Sequence, residues 1–326
     1  MKVFITGATG FIGTHLARRM AQTDHELTCM VRETSNVSTL RALKIPTVIG
    51  DVTDRASLAR SMPGHDAVIN LANVYAFWVP DKRVYQDVNV EGTRNVMETA
   101  LMSSVAKVVH VSTSLIYGKP VECPFTEDCE PGPVRFSAYA QTKYEGDQIA
   151  WELYKQQGLP LVAIYPSGVL GPDDHKASGR YIENLANGRL PVTVFNESAL
   201  TFVHVRDVAE AILCALEKEG NIGEKYLVGA RAITFNETNS IISEITGTSV
   251  PRIQLPDAMV MLNARLLTAI ADVTKRPPLW DMSLDQMRTM KEGFQFDGSK
   301  AERELGFTYT PLRTAYEEAI ASYQMA

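Results

Sequence analysis

Scarcities narrow the functions open to this chain. Four cysteines occur in 326 residues, at Cys29, Cys123, Cys129 and Cys214. They form no CxxC pair and no histidine stands at metal-ligand spacing from them, so neither a disulfide scaffold nor a metal site is expected. They read as isolated buried thiols of a reducing cytoplasm. Positive charge is not in excess: a net charge of −6 argues against nucleic acid or an anionic membrane as the main partner. Long apolar runs are also missing. The opening MKVFITGATG runs into glycines too soon for a signal peptide, which makes the cytoplasm the expected location. The most apolar stretch, AMVMLNARLLTAIADV (258–273), is interrupted by Asn263, Arg265 and Asp272. It falls short of the roughly 20 apolar residues of a membrane span, so no stable membrane insertion is expected. A packed amphipathic helix is the first reading of it, and a lipid-facing or substrate-facing helix the second.

The composition that remains, 45% apolar and 21% charged, is that of an ordinary globular protein. Its length favours one large domain with a smaller one appended. Short β-rich runs alternate with helix-period segments through the first half: KVFIT (2–6), ELTCMVR, TVIGD, AVINLA, KVVHVST and LVAIYP, with helical stretches between them. Several of these strands are continuously apolar, as strands covered by helices on both faces must be. The pattern predicts an α/β, Rossmann-type doubly wound parallel sheet. A dinucleotide-binding domain is expected over 1–170 with a return segment at about 201–230. A smaller capping region is expected over 171–200 and 231–326, closing a cleft at the carboxyl ends of the strands.

TGATGFIG (6–13) sits between an apolar strand and an amphipathic helix. Gly7, Gly10 and Gly13 permit a tight turn, close backbone approach to a pyrophosphate and close helix–strand packing. The free N–H groups of the helix N-terminus then attract the anion. The spacing is GxxGxxG rather than GxGxxG, and the strand–glycines–helix context is the one such a motif requires. About twenty residues on, the ribose-reading position falls at Val31-Arg32-Glu33. Arg32 suits a 2′-phosphate and favours NADP(H), whereas Glu33 is the rival that would suit NAD(H).

TGATGFIG, GDVTD (50–54), NLA (70–72), NVEGTRNV (89–96), VSTSLIYG (111–118), YAQTK (139–143) and FVHVRDVAEAI (202–212) occur in that order. The chain thereby resembles an extended short-chain dehydrogenase/reductase of the NAD-dependent epimerase/dehydratase family over nearly its whole length. Through YAFWVPD (75–81), SGRYIENLANGRLP (178–191) and GEKYLVG (223–229) it is similar to the dihydroflavonol-4-reductase-like and hopanoid-associated sugar epimerase-like branch. The resemblance implies that Tyr139 is the general acid/base, Lys143 its partner, and Thr113 the hydroxyl on the reacting oxygen. Ser112 and Ser114 flank Thr113 and carry the same group. The chemistry accords with these residue types: a phenol is a poor base at neutral pH, but a neighbouring cation favours phenolate. Positions i and i+4 share a helix face, so Lys143 can lie beside Tyr139 and reach the cofactor ribose, which makes both residues cofactor-binding as well as catalytic candidates.

The resemblance further implies that Thr9, Phe11 and Ile12 of the glycine turn join in holding the cofactor. Asp51 and Val52 would border its adenine, Leu71 and Ala72 would line its path, and Pro166 and Val169 would lie against the nicotinamide amide. Asn89 opens the NVEGTRNV helix, where it serves the site or simply caps the helix. A homodimer through helices 90–103 and 138–157 is likewise implied.

The expected substrate follows partly from what is missing. Nucleotide-sugar members of the superfamily carry an Arg-Asp pair where this chain has Leu200 and Thr201, and Arg and Asn where it has Tyr165 and Ser167. A diphosphate without a matched cation binds poorly in a closed cleft, and only Arg180, Arg189 or Arg206 offer a substitute. Tyr75, Phe77 and Trp78 instead follow the NLA strand and suit an apolar or aromatic carbonyl, unless they pack against the cap. Ser114, Ser167 and His204 are further candidates for the substrate pocket, although a strand histidine is commonly a satisfied core residue. The leading expectation is an NADPH-dependent oxidoreductase reducing a small to medium, mostly apolar ketone or aldehyde. A sugar or nucleotide-sugar epimerase/dehydratase is the alternative, and a non-catalytic NADP-sensing module is the third.

Overall fold

The apolar runs form strands at the expected places. In the computed structural model, which describes residues 1–324, these are β1 (Lys2–Thr6), β2 (Glu26–Val31), β3 (Thr47–Ile49), β4 (Ala67–Asn70), β5 (Lys107–Val111) and β6 (Leu161–Pro166). They are followed by β7 (Gly168–Leu170), β8 (Ala199–His204), β9 (Lys225–Val228) and β10 (Arg231–Thr234). The first half contributes helices α1 (Phe11–Met20), α2 (Ser38–Ala42), α3 (Arg55–Ser61), α4 (Arg83–Tyr85), α5 (Thr93–Met102) and α6 (Ala138–Gln157). The second half contributes α7 (Ala177–Ala186), α8 (Val205–Glu217), α9 (Phe235–Thr246), α10 (Asp257–Thr274), α11 (Leu284–Glu292), α12 (Ser299–Leu305) and α13 (Leu312–Gln324).

Seven strands form one parallel sheet in the order β3-β2-β1-β4-β5-β6-β9. The order reverses direction between β1 and β4, the place where an open α/β sheet leaves a crevice at its carboxyl edge. Alternation along each strand sends neighbouring side chains to opposite layers. Val3 and Ile5 join Leu16 and Met20 of α1 and Val208 and Ile212 of α8. Phe4 and Val68 join Val96 and Met97 of α5 and Ala150 and Leu153 of α6. Each fully buried Leu, Ile or Val contributes about 1.5–3 kcal/mol, which is why the sheet needs both layers. The fold is therefore the expected doubly wound α/β architecture.

Two features depart from the strand-by-strand reading. The FVHV segment, with its helix, fell in the return segment assigned to the large domain, but β8 lies outside the main sheet. It pairs antiparallel with β10 and parallel with β7 in a three-stranded sheet. From β8 the chain returns through α8, which packs on α1, to β9 at the edge of the main sheet. The cysteines also differ: Cys29 is buried, but Cys123 is exposed and Cys129 and Cys214 are half-buried, all as free thiols.

Local signals place the site-bearing helix. Ser137 caps α6, its hydroxyl accepting from the Ala140 N–H at 3.1 Å, and Gly158 ends the helix at φ +71°. Tyr139 thus lies in the first turn, above the carboxyl ends of β5 and β6. The amphipathic reading of 258–273 needs amendment. Helix α10 buries Val260, Ala264 and Ala271, with Met261 and Leu267 half-buried, while Met259, Leu262, Leu266, Ile270 and Val273 face outward. No helix of the described residues is long and apolar enough to cross a membrane.

Candidate functional site

At the carboxyl edge of the main sheet the chain encloses a cavity of about 1060 Å³. One end begins at the glycine turn. Gly7 takes φ +77°, and a Cβ there would sit 2.6 Å from the Leu71 carbonyl carbon. A Cβ on Gly13 would overlap the Gly7 carbonyl oxygen. Only glycine lets the turn press this closely on β4 and on α1. Thr9, Gly10, Phe11 and Ile12 complete this wall. Gly10 is the residue before α1 and brings no side-chain cap, so the first N–H groups of the helix are free for an anion.

Arg32 lies on the wall at the end of β2, and Ser35, Asn36 and Thr39 stand beside it with hydroxyl and amide donors. The Arg32 guanidinium has no ion-pair partner among the described residues, whereas Glu33 is not part of the wall. Asp51 and Val52 follow at the end of β3. The Asp51 carboxylate accepts from the Thr53 N–H at 2.9 Å and hydroxyl at 2.8 Å, which holds its loop. Leu71 and Ala72, at the end of β4, carry the wall toward Tyr139. The Gly7 and Gly13 cradles and this run of strand ends fit a dinucleotide.

Tyr139 is 5% exposed, its ring held edge-on to Tyr75 with centroids 5.0 Å apart and to Phe77 at 6.5 Å. Burial pushes its phenol upward and Tyr75 adds to this, while the Thr113 hydroxyl acts in the opposite direction. Thr113 and its neighbours Ser112 and Ser114 all reach the cavity wall. Thr113 has extended backbone, and its hydroxyl accepts from the Leu115 N–H at 3.3 Å to open the 3₁₀ turn Ser114–Tyr117. Pro166, Ser167 and Val169 also line the cavity, and the Ser167 hydroxyl is buried without a partner.

Lys143 is 1% exposed and stands behind the wall, its Nζ donating to the Val111 carbonyl at 3.1 Å. Burial lowers its pKa to about 8, and Asp147 pulls it back upward. Asp147, one turn further along α6, is pushed up to about 6 by burial, with Lys143 opposing. It accepts from the Tyr165 hydroxyl at 3.1 Å, which in turn accepts from the Trp151 indole at 2.9 Å. This buried chain supports the lysine from below. Asp147 was not singled out in the sequence, although its i+4 spacing from Lys143 was the available signal.

Two substrate candidates lie elsewhere. His204 is fully buried outside the cavity: its Nδ1 accepts from the Arg206 N–H to cap α8, and its Nε2 meets Glu318 at 3.2 Å. It is a structural cap because β8 ends there and α8 begins. Trp78 turns away from the cavity, its indole donating to Asp272 of α10 at 2.9 Å. Asn89 is not a helix cap. It lies inside the widened helical segment Gln86–Gly92, where its side chain accepts from the Val74 N–H at 2.7 Å and donates to Thr142. It pins the loop that carries Tyr75 to the helix that carries Tyr139.

The far end of the cavity carries Leu200, Phe202, Phe235, Met290 and Phe294 on its wall, interleaved with polar groups such as Thr201, Thr238, Gln286 and Thr289. Leu200 and Thr201, the positions noted for lacking Arg-Asp, both face it. Arg180 is paired with Asp281, Arg189 with Glu183 and Arg206 with Glu318, and none of the three lines this cavity. Lys176 is the cation at this end, and it has no ion-pair partner among the described residues.

Known proteins resemble the chain along its whole length. The model of the NAD dependent epimerase/dehydratase family matches residues 3–229. A protein of Methylococcus capsulatus named sterol demethylase protein B is 30% identical over 331 residues, covering 99% of this chain and 98% of its own. A Synechocystis sp. protein bearing a dihydroflavonol 4-reductase name is 28% identical over 328 residues, 98% of this chain and 94% of its own. The crystal structure of gox2253, 32% identical, matches with a TM-score of 0.84 over 99% of this chain and 98% of that chain.

Proposed function

The chain belongs to the NAD-dependent epimerase/dehydratase family and is an NAD(P)-dependent enzyme of the extended short-chain dehydrogenase/reductase type, and within that family we propose that it reduces the carbonyl of a small to medium, mostly apolar ketone or aldehyde with NADPH. The observation that carries this reading is the pair of aromatic rings packed edge-on against Tyr139, Tyr75 and Phe77, in a cavity whose wall also carries Leu200, Phe202, Phe235 and Phe294. Such a wall favours an apolar substrate and excludes the water that would compete for the reacting oxygen.

The cofactor is held, in this proposal, by Gly7, Thr9, Gly10, Phe11, Ile12 and Gly13 at its pyrophosphate and by Asp51 and Val52 at its adenine. Leu71, Ala72, Pro166 and Val169 hold it toward the reacting end. Arg32 supports NADPH over NADH, because an unpaired guanidinium among hydroxyl and amide donors suits a 2′-phosphate. Bound NADPH supplies the hydride. Tyr139 gives its proton to the carbonyl oxygen, which the Thr113 hydroxyl holds by a hydrogen bond. Burial keeps the phenol protonated until then. Lys143, cationic below about 8, stabilises the phenolate left behind.

Lys176 favours a second reading. An unpaired cation at the substrate end would also serve an anionic sugar nucleotide, the class of substrate that an epimerase or dehydratase of the family would take. An NADPH-oxidation screen across ketones, aldehydes and nucleotide sugars distinguishes the two, with Tyr139→Phe as control. Turnover of apolar carbonyls that disappears in the variant supports the reductase. No NADPH oxidation with any carbonyl, together with NAD retained through purification and interconversion of a nucleotide sugar followed by chromatography, favours the epimerase. The expected homodimer through α5 and α6 is a separate proposal, checked by light scattering.

A further inference from the structure

Helix α10 is apolar on two opposite faces, and a helix of that kind ordinarily needs cover on both. Its inner face has cover: Val260 and Ala264 pack with Phe235, Phe195 and Met287. Its outer face has none among the described residues. A period of 3.6 puts Met259, Leu262, Leu266, Ile270 and Val273 on one stripe opposite Val260, Ala264 and Ala271, and each of the five is more than half exposed. Leu279 and Trp280, in the turn just past the helix, are more than half exposed as well. A contiguous outward stripe of this size marks an interaction site rather than scattered surface residues.

The charges beside the stripe identify its occupant. Arg252, Arg265, Lys275 and Arg276 are exposed, and none has an ion-pair partner among the described residues. The acidic groups nearby are engaged: Asp257 with Lys291, Asp272 with Lys82 and the Trp78 indole, and Asp281 with Arg180. A chain of net charge −6 therefore presents a locally cationic apolar face. A second copy seated on it by a twofold axis would set these cations against their own counterparts. An anionic bilayer supplies both an apolar interior and the opposite charge, and an exposed tryptophan suits the boundary between them.

We propose that α10 and the Leu279–Trp280 corner form a docking surface for an anionic lipid bilayer, on which the enzyme lies without spanning it. The surface also adjoins the catalytic cavity. A second cavity of about 280 Å³ runs from Tyr75 and Phe77, which it shares with the first, to Pro277, Pro278 and Asp281 beside Trp280. Docking there brings the apolar route to the site against the membrane. The docking does not depend on the proposed reaction, so either can fail alone.

The test is co-sedimentation of the full chain with vesicles of phosphatidylcholine mixed with phosphatidylglycerol. The wild type is expected to pellet with them, less so as salt is raised. The partition coefficient should fall about tenfold or more in Leu262→Glu/Leu266→Glu, and by a similar factor in Arg265→Glu/Lys275→Glu. Both pairs are exposed, and an unchanged thermal melt verifies their folding. Emission from Trp280 should shift to the blue on adding the vesicles, a shift absent from Trp280→Phe. Absence of pelleting overturns the proposal, as does equal binding to phosphatidylcholine alone. So does a wild-type dimer that Leu262→Glu/Leu266→Glu converts to monomer without any vesicle binding, because the stripe would then belong to a second copy.

Discussion

The two ends of the cavity are built from different materials. The end at Gly7–Gly13 is largely backbone: a turn, the N-terminus of α1 and successive strand ends. Its essential side chains are the ones that are absent, since a Cβ at Gly7 or Gly13 would strike the main chain. The end at Tyr139 is made of side chains, drawn from the loop after β4, from β8, from α9 and from α11. Recognition of a shared group such as a pyrophosphate is served by fixed backbone geometry. Selection of a particular substrate is served by side chains that vary without disturbing the sheet.

The contrast is tested most severely at Tyr139. Tyr139→Phe is expected to lower kcat by about 10²–10⁴-fold while leaving the NADPH dissociation constant unchanged, as read by fluorescence titration. Weakened cofactor binding as the main effect would place the phenol at the wrong end. Gly7→Ala attacks the backbone end: with φ +77° and a carbonyl carbon at 2.6 Å, it should cost about 1–3 kcal/mol of stability. Thermal melts should also show the shift on adding NADPH shrinking. Arg32→Ala should weaken NADPH by about tenfold or more with little change for NADH. Equal loss for both cofactors would sink the 2′-phosphate assignment.

Phe77→Ala probes the side-chain end. It should raise KM for an apolar ketone by about tenfold and leave both cofactors untouched. The smallest effect is expected from Asp147→Asn. Its carboxylate opposes the burial that lowers Lys143, so removing it lets the ammonium lose its proton at lower pH. The alkaline limb of kcat/KM should move downward in pH, and an unmoved limb would mean that Lys143's charge does not support the phenol. Stability offers a second reading. Asp147 is raised from 3.8 to about 6 in the folded state, so the unfolded chain releases that proton first. Wild-type stability therefore falls as pH rises through that window, and the Asn variant should lack this fall.

Much of this arrangement was legible because it is local. A strand, a glycine turn and a helix are contiguous in TGATGFIG, and the β-rich runs announce the sheet by their own period. Tyr139 and Lys143 share one helix whose start is marked by Ser137. For His204 and Trp78 the sequence leaves a pocket role and a packing role both open, because the partners that hold them, Glu318 and Asp272, lie more than a hundred residues distant. Whether Asn89 serves the site or caps a helix stays open in the sequence, because its partners Val74 and Thr142 are far from it along the chain.

Residue order alone was enough for the doubly wound sheet, the glycine turn between β1 and α1, and the helix that carries the tyrosine and lysine. Backbone conformation and periodicity act over a few residues, so they leave their mark in short stretches. Tertiary structure decided which aromatic rings reach Tyr139, that β8 leaves the main sheet for a small one, and that one apolar stripe of α10 faces outward. Those outcomes depend on which surfaces of distant segments meet, and no short stretch records them.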